Sequence, residues 1–138
     1  MVFAGEKMKK AYILEPDFHT RWMLFARLTD NEREIISVGT QPQETVLNRL
    51  VQDKLNKTLP DLILIAANIY DGAGVEFAKT VNTEYPKVAI LGMFDTQEEE
   101  EAWRQGNVGC YFSKDYLLEQ GNLEYTIYKI SQNKKSSE

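Results

Sequence analysis

Residues 60–68 read Pro60-Asp61-Leu62-Ile63-Leu64-Ile65-Ala66-Ala67-Asn68. They contain the most apolar stretch of the chain. The apolar run is short and partly β-branched, and polar residues stand on both sides of it. Strands of this composition are covered on both faces, because helices shield each face of a parallel sheet from water. We therefore predict that the stretch is the central strand of a parallel sheet.

Four further apolar runs are predicted to be strands of the same sheet, at residues 11–14, 34–38, 88–91 and 108–112. Between the runs, apolar residues recur at spacings of three and four, which is typical of a helix with one buried face. One such helix begins at Asp17, a residue that can cap a helix, and continues through Phe18, Trp22, Phe25 and Leu28. Alternating strands and helices predict an α/β fold with a doubly wound, five-stranded parallel sheet and helices on both faces.

The composition fits one globular domain and argues against several functions. A chain of 138 residues with a hydrophobic share of 43% can cover both faces of a small sheet. A net charge of −5 argues against direct binding to nucleic acid. No apolar stretch approaches the roughly 20 residues that would span a bilayer. The single cysteine cannot form an internal disulfide, which favours a cytoplasmic location.

The ends of the chain are predicted to lie outside the folded domain. Residues 1–9 have no long apolar core and are expected to form a flexible leader. Residues 133–138 are polar and are expected to form a disordered tail. The predicted domain is therefore 10–132.

Functional residues in a doubly wound sheet are sought after the strands, because the functional crevice lies beyond their carboxyl ends. The residues at these places are Glu15, Ala66, Gly92 and the pair Ser113 and Lys114.

The chain resembles the receiver domains of response regulators over residues 10–132. Residues 60–76 are similar to the third strand and following loop of that family, and Tyr111-Phe112-Ser113-Lys114-Asp115 is similar to its fifth strand and the residues after it. The resemblance implies a flavodoxin-like sheet with the strand order 2-1-3-4-5. It also implies a role in two-component signal transduction of the bacterial type.

The resemblance further implies that the phosphoacceptor site is degenerate. Active receivers hold Mg²⁺ with an acidic pair after the first strand and an aspartate after the third, and that aspartate attacks the donor phosphorus. The aspartate position falls on Ala66, and the acidic pair falls on Glu15 and Pro16. The hydroxyl residue after the fourth strand falls on Gly92. Lys114 alone remains in kind, with Glu15 as its candidate partner, so no metal and no phosphate is expected at this site.

Receivers commonly dimerise or dock through their fourth helix, fifth strand and fifth helix. Aromatic residues on this side are our interface candidates, and they are Trp103, Tyr111, Phe112, Tyr125 and Tyr128. Packing in the core is the alternative explanation for several of them.

Other reactive residues are given structural roles. His19 has no ligand or catalytic partner at a suitable spacing, and Cys110 is interpreted as a small buried hydrophobe. Asp71 and Asp95 are interpreted as turn or cap residues.

The leading hypothesis is a phosphorylation-independent pseudo-receiver that acts as a protein interaction module, with another protein or a second copy as its partner and no cofactor. The alternative is a small ligand in the emptied crevice, with Glu15, Asn68 and Lys114 as polar contacts. An enzyme is the least favoured class, because no nucleophile and base stand at a credible spacing.

Overall fold

The predicted strands form one parallel sheet. The computed structural model describes residues 8–29, 33–37, 39 and 41–136, with the backbone alone for residues 37 and 134–136. Its strands are β1 (Lys10–Leu14), β2 (Glu34–Ser37), β3 (Leu62–Ala66), β4 (Ala89–Phe94) and β5 (Cys110–Ser113). They lie in the order β2-β1-β3-β4-β5, and neighbouring strands are parallel. The predicted doubly wound fold with the order 2-1-3-4-5 is confirmed.

The helices of the described residues are α1 (Phe18–Thr29), α2 (Gln43–Leu55), α3 (Ile69–Gly72), α4 (Gly74–Glu84), α5 (Gln97–Gly106), α6 (Lys114–Leu118) and α7 (Asn122–Ser136). The two shortest, α3 and α6, were not predicted. Two residues of α3, Tyr70 and Asp71, have left-handed backbone angles. None of the helices described here is long and apolar enough to cross a membrane.

Two layers of helices cover the sheet, and β3 lies between them with all of its residues buried. Ile63 and Ile65 face a core that α2, α4 and α5 cover. Leu62, Leu64 and Ala66 face the opposite core, which α1, α6 and α7 cover. Alternate residues of a strand point to opposite faces, so a central strand with helices on both sides has to be apolar throughout.

Strand β4 is longer at its carboxyl end than predicted. It continues through Gly92 to Phe94, whereas the sequence predicted an end at Leu91. Gly92 therefore lies within the strand and pairs with Ile65 of β3 and Tyr111 of β5. A glycine inside a strand often marks a close approach by another group.

The predicted boundaries at the two chain ends need correction. Met8 is buried, and the backbone N–H of Lys9 donates a hydrogen bond to the Asp61 carboxylate at 2.8 Å, so both residues belong to the domain. Helix α7 continues to Ser136, so the disordered tail predicted from residue 133 is wrong over 133–136. Residues 1–7 of the predicted leader and 137–138 of the predicted tail lie outside the described residues.

Candidate functional site

Four polar side chains meet at the carboxyl edge of the sheet. Glu15 follows β1, Asn68 is the second residue after β3, Asp95 follows β4, and Lys114 follows β5. The strands are parallel, so their carboxyl ends lie side by side and bring together residues that are far apart in the sequence. The structure thus brings Glu15, Asn68, Asp95 and Lys114 together, whereas a ligand that contacts the first, second and fourth of them stays a prediction.

Lys114 is the centre of this group. Its Nζ lies 2.9 Å from Glu15 Oε1 and 3.1 Å from Asp95 Oδ2, and it donates a hydrogen bond to Asn68 Oδ1 at 3.3 Å. Two carboxylate oxygens and one amide oxygen therefore surround the ammonium group. The predicted pairing of Lys114 with Glu15 is confirmed.

The charge of Lys114 is stabilised although the side chain is almost fully buried. Burial by itself lowers the pKa of Lys114. The hydrogen bonds and charges of Glu15 and then of Asp95 oppose this effect, and together they hold the pKa above its ordinary value. Lys114 is therefore an ammonium at physiological pH.

The side chain of Glu15 is fully buried. Its Oε2 accepts a hydrogen bond from the backbone N–H of Asp17 at 2.9 Å, and its carbonyl oxygen accepts one from Arg21 Nη1 at 2.7 Å. Gly39 makes room for this arginine, because a Cβ there would lie 2.1 Å from Arg21 Nη1. The side chain of Asp17 caps α1 by accepting from the Thr20 N–H at 2.8 Å, so the loop after β1 is fixed on several sides.

Asp95 is a site residue that the sequence did not reveal. The N-cap of α5 is Thr96, whose hydroxyl accepts from the Glu99 N–H at 3.1 Å, while the Glu99 carboxylate accepts from the Asp95 N–H at 2.8 Å. The side chain of Asp95 is therefore not needed as a cap and reaches Lys114. A strand end at Phe94 would have revealed this position, whereas the predicted end at Leu91 hid it.

Gly92 is covered by the indole ring of Trp103. A Cβ at position 92 would lie 2.6 to 2.8 Å from three carbons of that ring, which is far inside normal contact distance. Trp103 is fully buried, and its Nε1–H donates to the carbonyl oxygen of Met93 at 3.0 Å. The prediction that Trp103 is an interface residue is wrong, because its ring occupies the space that a side chain at position 92 would need.

Ala66 ends β3 and is fully buried. It pairs with Met93 of β4, and its methyl group packs in the core formed with Leu64 and Leu91. Gly74 approaches from the next turn, because a Cβ there would lie 2.1 Å from the Ala66 carbonyl oxygen. The tip of the central strand therefore presents a packed methyl group and no nucleophile.

Solved structures share this architecture, although no family model and no curated protein matches the sequence. The phosphorylated cyanobacterial phytochrome response regulator RcpA is 18% identical, with a TM-score of 0.68 over 94% of this chain and 96% of that one. The chemotaxis protein CheY4 of Vibrio cholerae is 20% identical, with a TM-score of 0.67 over 89% and 98%. The chain has the receiver-domain fold.

A variant of the receiver domain of the histidine kinase CKI1 from Arabidopsis thaliana is a further match. It is 17% identical, with a TM-score of 0.69 over 93% of this chain and 94% of that chain. The similarity therefore extends over nearly the whole of both chains, and the resemblance to receivers is confirmed for the fold.

The metal that the receiver fold implies does not fit the residues of this chain. Mg²⁺ requires several hard oxygen ligands in near-octahedral order. Pro16 supplies no carboxylate, and the oxygen atoms Glu15 Oε1 and Asp95 Oδ2 already contact the ammonium of Lys114. Within the part of the chain that the structure describes, no three His, Cys, Asp or Glu side chains are arranged to hold a metal ion.

The other interface candidates of this receiver fold keep part of their surface. Tyr111 is half-buried and packs edge-to-face against Phe94. Phe112 and Tyr128 are also half-buried, and Tyr125 is 49% exposed. Their role as contact residues stays a prediction.

Cys110 has no cysteine partner and lies within β5. Burial raises the pKa of its thiol to about 11, so the reactive thiolate is scarce at neutral pH. We expect native Cys110 to react with iodoacetamide much more slowly than the same cysteine after unfolding in urea. Cys110 is half-buried rather than fully buried as predicted. Mass spectrometry of the adduct over time measures both rates, and equal rates would contradict this partial burial.

Proposed function

We propose that this chain is a pseudo-receiver that signals through protein contacts and does not accept phosphate. The fully buried methyl group of Ala66 carries the proposal, because it stands where an attacking carboxylate is needed. A methyl group has no lone pair with which to attack phosphorus. We place this module in a cytoplasmic two-component-type pathway, without catalysis of its own.

The surroundings of Ala66 support the same conclusion. Phosphoryl transfer depends on cations that neutralise the charge developing on the transferred group. The ammonium of Lys114 already contacts Glu15, Asp95 and Asn68, and no hydroxyl stands at position 92. Restoring a carboxylate at position 66 alone would therefore leave the metal ligands and the hydroxyl still missing.

The partner surface that we propose consists of α5, β5 and α7, with Tyr111, Phe112, Tyr125 and Tyr128 as its aromatic residues. Partly exposed aromatic side chains are enriched at protein interfaces, because they bury much area at a small entropic cost. A second protein or a second copy of the chain could use it. The emptied crevice is a weaker candidate for binding, since Lys114 already contacts Glu15 and Asn68 and little of Glu15 or Lys114 is exposed.

Incubation with Mg²⁺ and acetyl phosphate tests the proposal. We expect the intact mass of the protein to stay unchanged, because neither nucleophile nor metal site is complete. An active receiver domain in the same reaction serves as the positive control and should gain one phosphoryl group. A stable phosphoryl adduct on this chain, at Asp95 or at any other residue, would contradict the proposal.

A further inference from the structure

We infer that Asp95 is a positioning residue, a latch that ties the crevice to helix α5 of the proposed partner surface. Asp95 stands between Phe94, the last residue of β4, and Thr96, the N-cap of α5. Its carboxylate lies 3.1 Å from Nζ of Lys114, which begins α6 directly after β5. A single ion pair thus joins the connection after β4 to the connection after β5.

The latch acts on α5 because Asp95 is held from two sides. Its backbone N–H is bonded to the Glu99 carboxylate in the first turn of α5, at 2.8 Å. Its side chain is bonded to Lys114, which is itself fixed by the buried Glu15. The first turn of α5 therefore cannot shift relative to the crevice unless one of these contacts lengthens.

The contact between Asp95 and Lys114 is the one that can open while the fold stays intact. The Asp95 side chain is 53% exposed, whereas that of Glu15 is fully buried. Ion pairs with an exposed member are weak and are screened by salt. Opening the latch leaves Lys114 paired with Glu15, so no buried charge loses its partner.

The latch matters for signalling because α5 forms part of the proposed partner surface, so this step rests on the proposed function. A groove of about 620 Å³ runs along α5 to β5, and its lining includes Glu98, Glu101, Arg104 and Tyr111. A partner bound in this groove contacts the helix whose first turn the latch holds. By thermodynamic linkage, the effect of the closed Asp95–Lys114 contact on the free energy of partner binding equals the effect of the bound partner on the free energy of closing that contact.

Hydrogen exchange of the backbone amides over 96–106 tests the latch without any partner. We expect Asp95→Asn to accelerate exchange in the first turn of α5 by about two- to fivefold, the range of a weak, partly exposed ion pair. Asp95→Glu keeps the carboxylate and should restore most of the protection. Asp71→Asn is the matched control, because it makes the same chemical change at an exposed residue near the same sheet edge, and we expect no change in α5.

Salt provides a second measurement on the unmodified protein. At about 1 M salt the wild type should exchange at the rate of Asp95→Asn, and that variant should respond little to salt. The amides of β3 serve as an internal reference for an intact fold.

Equal exchange rates of the α5 amides in Asp95→Asn and Asp71→Asn would overturn the latch. An exchange rate of the wild type that does not change with salt would also overturn it. A phosphoryl adduct would instead contradict the proposed function and leave the latch untouched, so the two failures are distinguishable.

Discussion

Trp103→Ala is expected to lower the free energy of unfolding by about 3–5 kcal/mol, as large-to-small substitutions of buried aromatic residues do. The ring is fully buried against Gly92, which has no side chain to fill the space left behind. The Met93 carbonyl also loses the hydrogen bond from Nε1. Urea unfolding followed by far-UV circular dichroism measures the effect.

Trp22→Ala is the matched control for this substitution. Trp22 lies on α1 and is 58% exposed, so its removal should change stability by no more than about 0.5 kcal/mol.

Gly92→Ala tests the contact between Gly92 and Trp103 from the side of the glycine. Its methyl group would lie 2.6 Å from the indole, so it should destabilise the wild type and cost less in the Trp103→Ala background. Equal losses for the two tryptophan variants would contradict the packing described here.

Lys114→Met is expected to destabilise the fold by about 3–5 kcal/mol, because it leaves the fully buried carboxylate of Glu15 without a counter-charge. Methionine has a similar length and keeps the apolar part of the packing. Chemical denaturation at neutral pH measures the loss. Glu15→Gln combined with Lys114→Met is the control, since it removes both charges and should recover much of the stability.

The stability that Lys114→Met loses relative to the wild type depends on pH in a defined direction. The pKa of folded Lys114 is raised, so its contribution is fully present below the ordinary lysine pKa of about 10.4. The contribution is lost as the pH rises through the raised value. The stability gap between the wild type and Lys114→Met should therefore narrow at strongly alkaline pH, where folded Lys114 loses its proton. A gap that narrows between pH 6 and 9 would point to another group.

The central strand was the easiest part of the fold to predict, and the reason lies in its environment. Residues 62–66 are buried on both faces, so every position is apolar and the strand is visible in the sequence alone. Helix α1 was predicted from the spacing of its apolar residues, but the spacing did not reveal which of them face the core. Phe18 is 73% exposed, while Leu24 and Leu28 form the buried side.

The site was only partly predictable, because strand ends decide which residues meet at the edge of the sheet. The carboxyl end of β1 was predicted correctly and that of β5 to within one residue, and the pairing of Glu15 with Lys114 was foreseen. Asp95 was assigned to a cap because the sequence predicted that β4 ends at Leu91. Trp103 packs on Gly92, which leaves no room for a side chain, and this is a tertiary contact that no local pattern reveals. The same contact explains why Trp103 was wrongly placed on the surface.

The pairing of β1 has a consequence for the synthesis of the protein. Ala11 lies opposite Ile35 of β2 on one side and opposite Leu62 of β3 on the other. A ribosome therefore releases β1 well before it has translated the second neighbour of that strand. Until β3 has been made, the nascent chain carries an apolar strand with an unpaired hydrogen-bonding edge. Chains in this state are prone to aggregation and are typical substrates of chaperones. The amino-terminal half is thus a poor folding unit, and the native sheet can assemble only after β3 has been made.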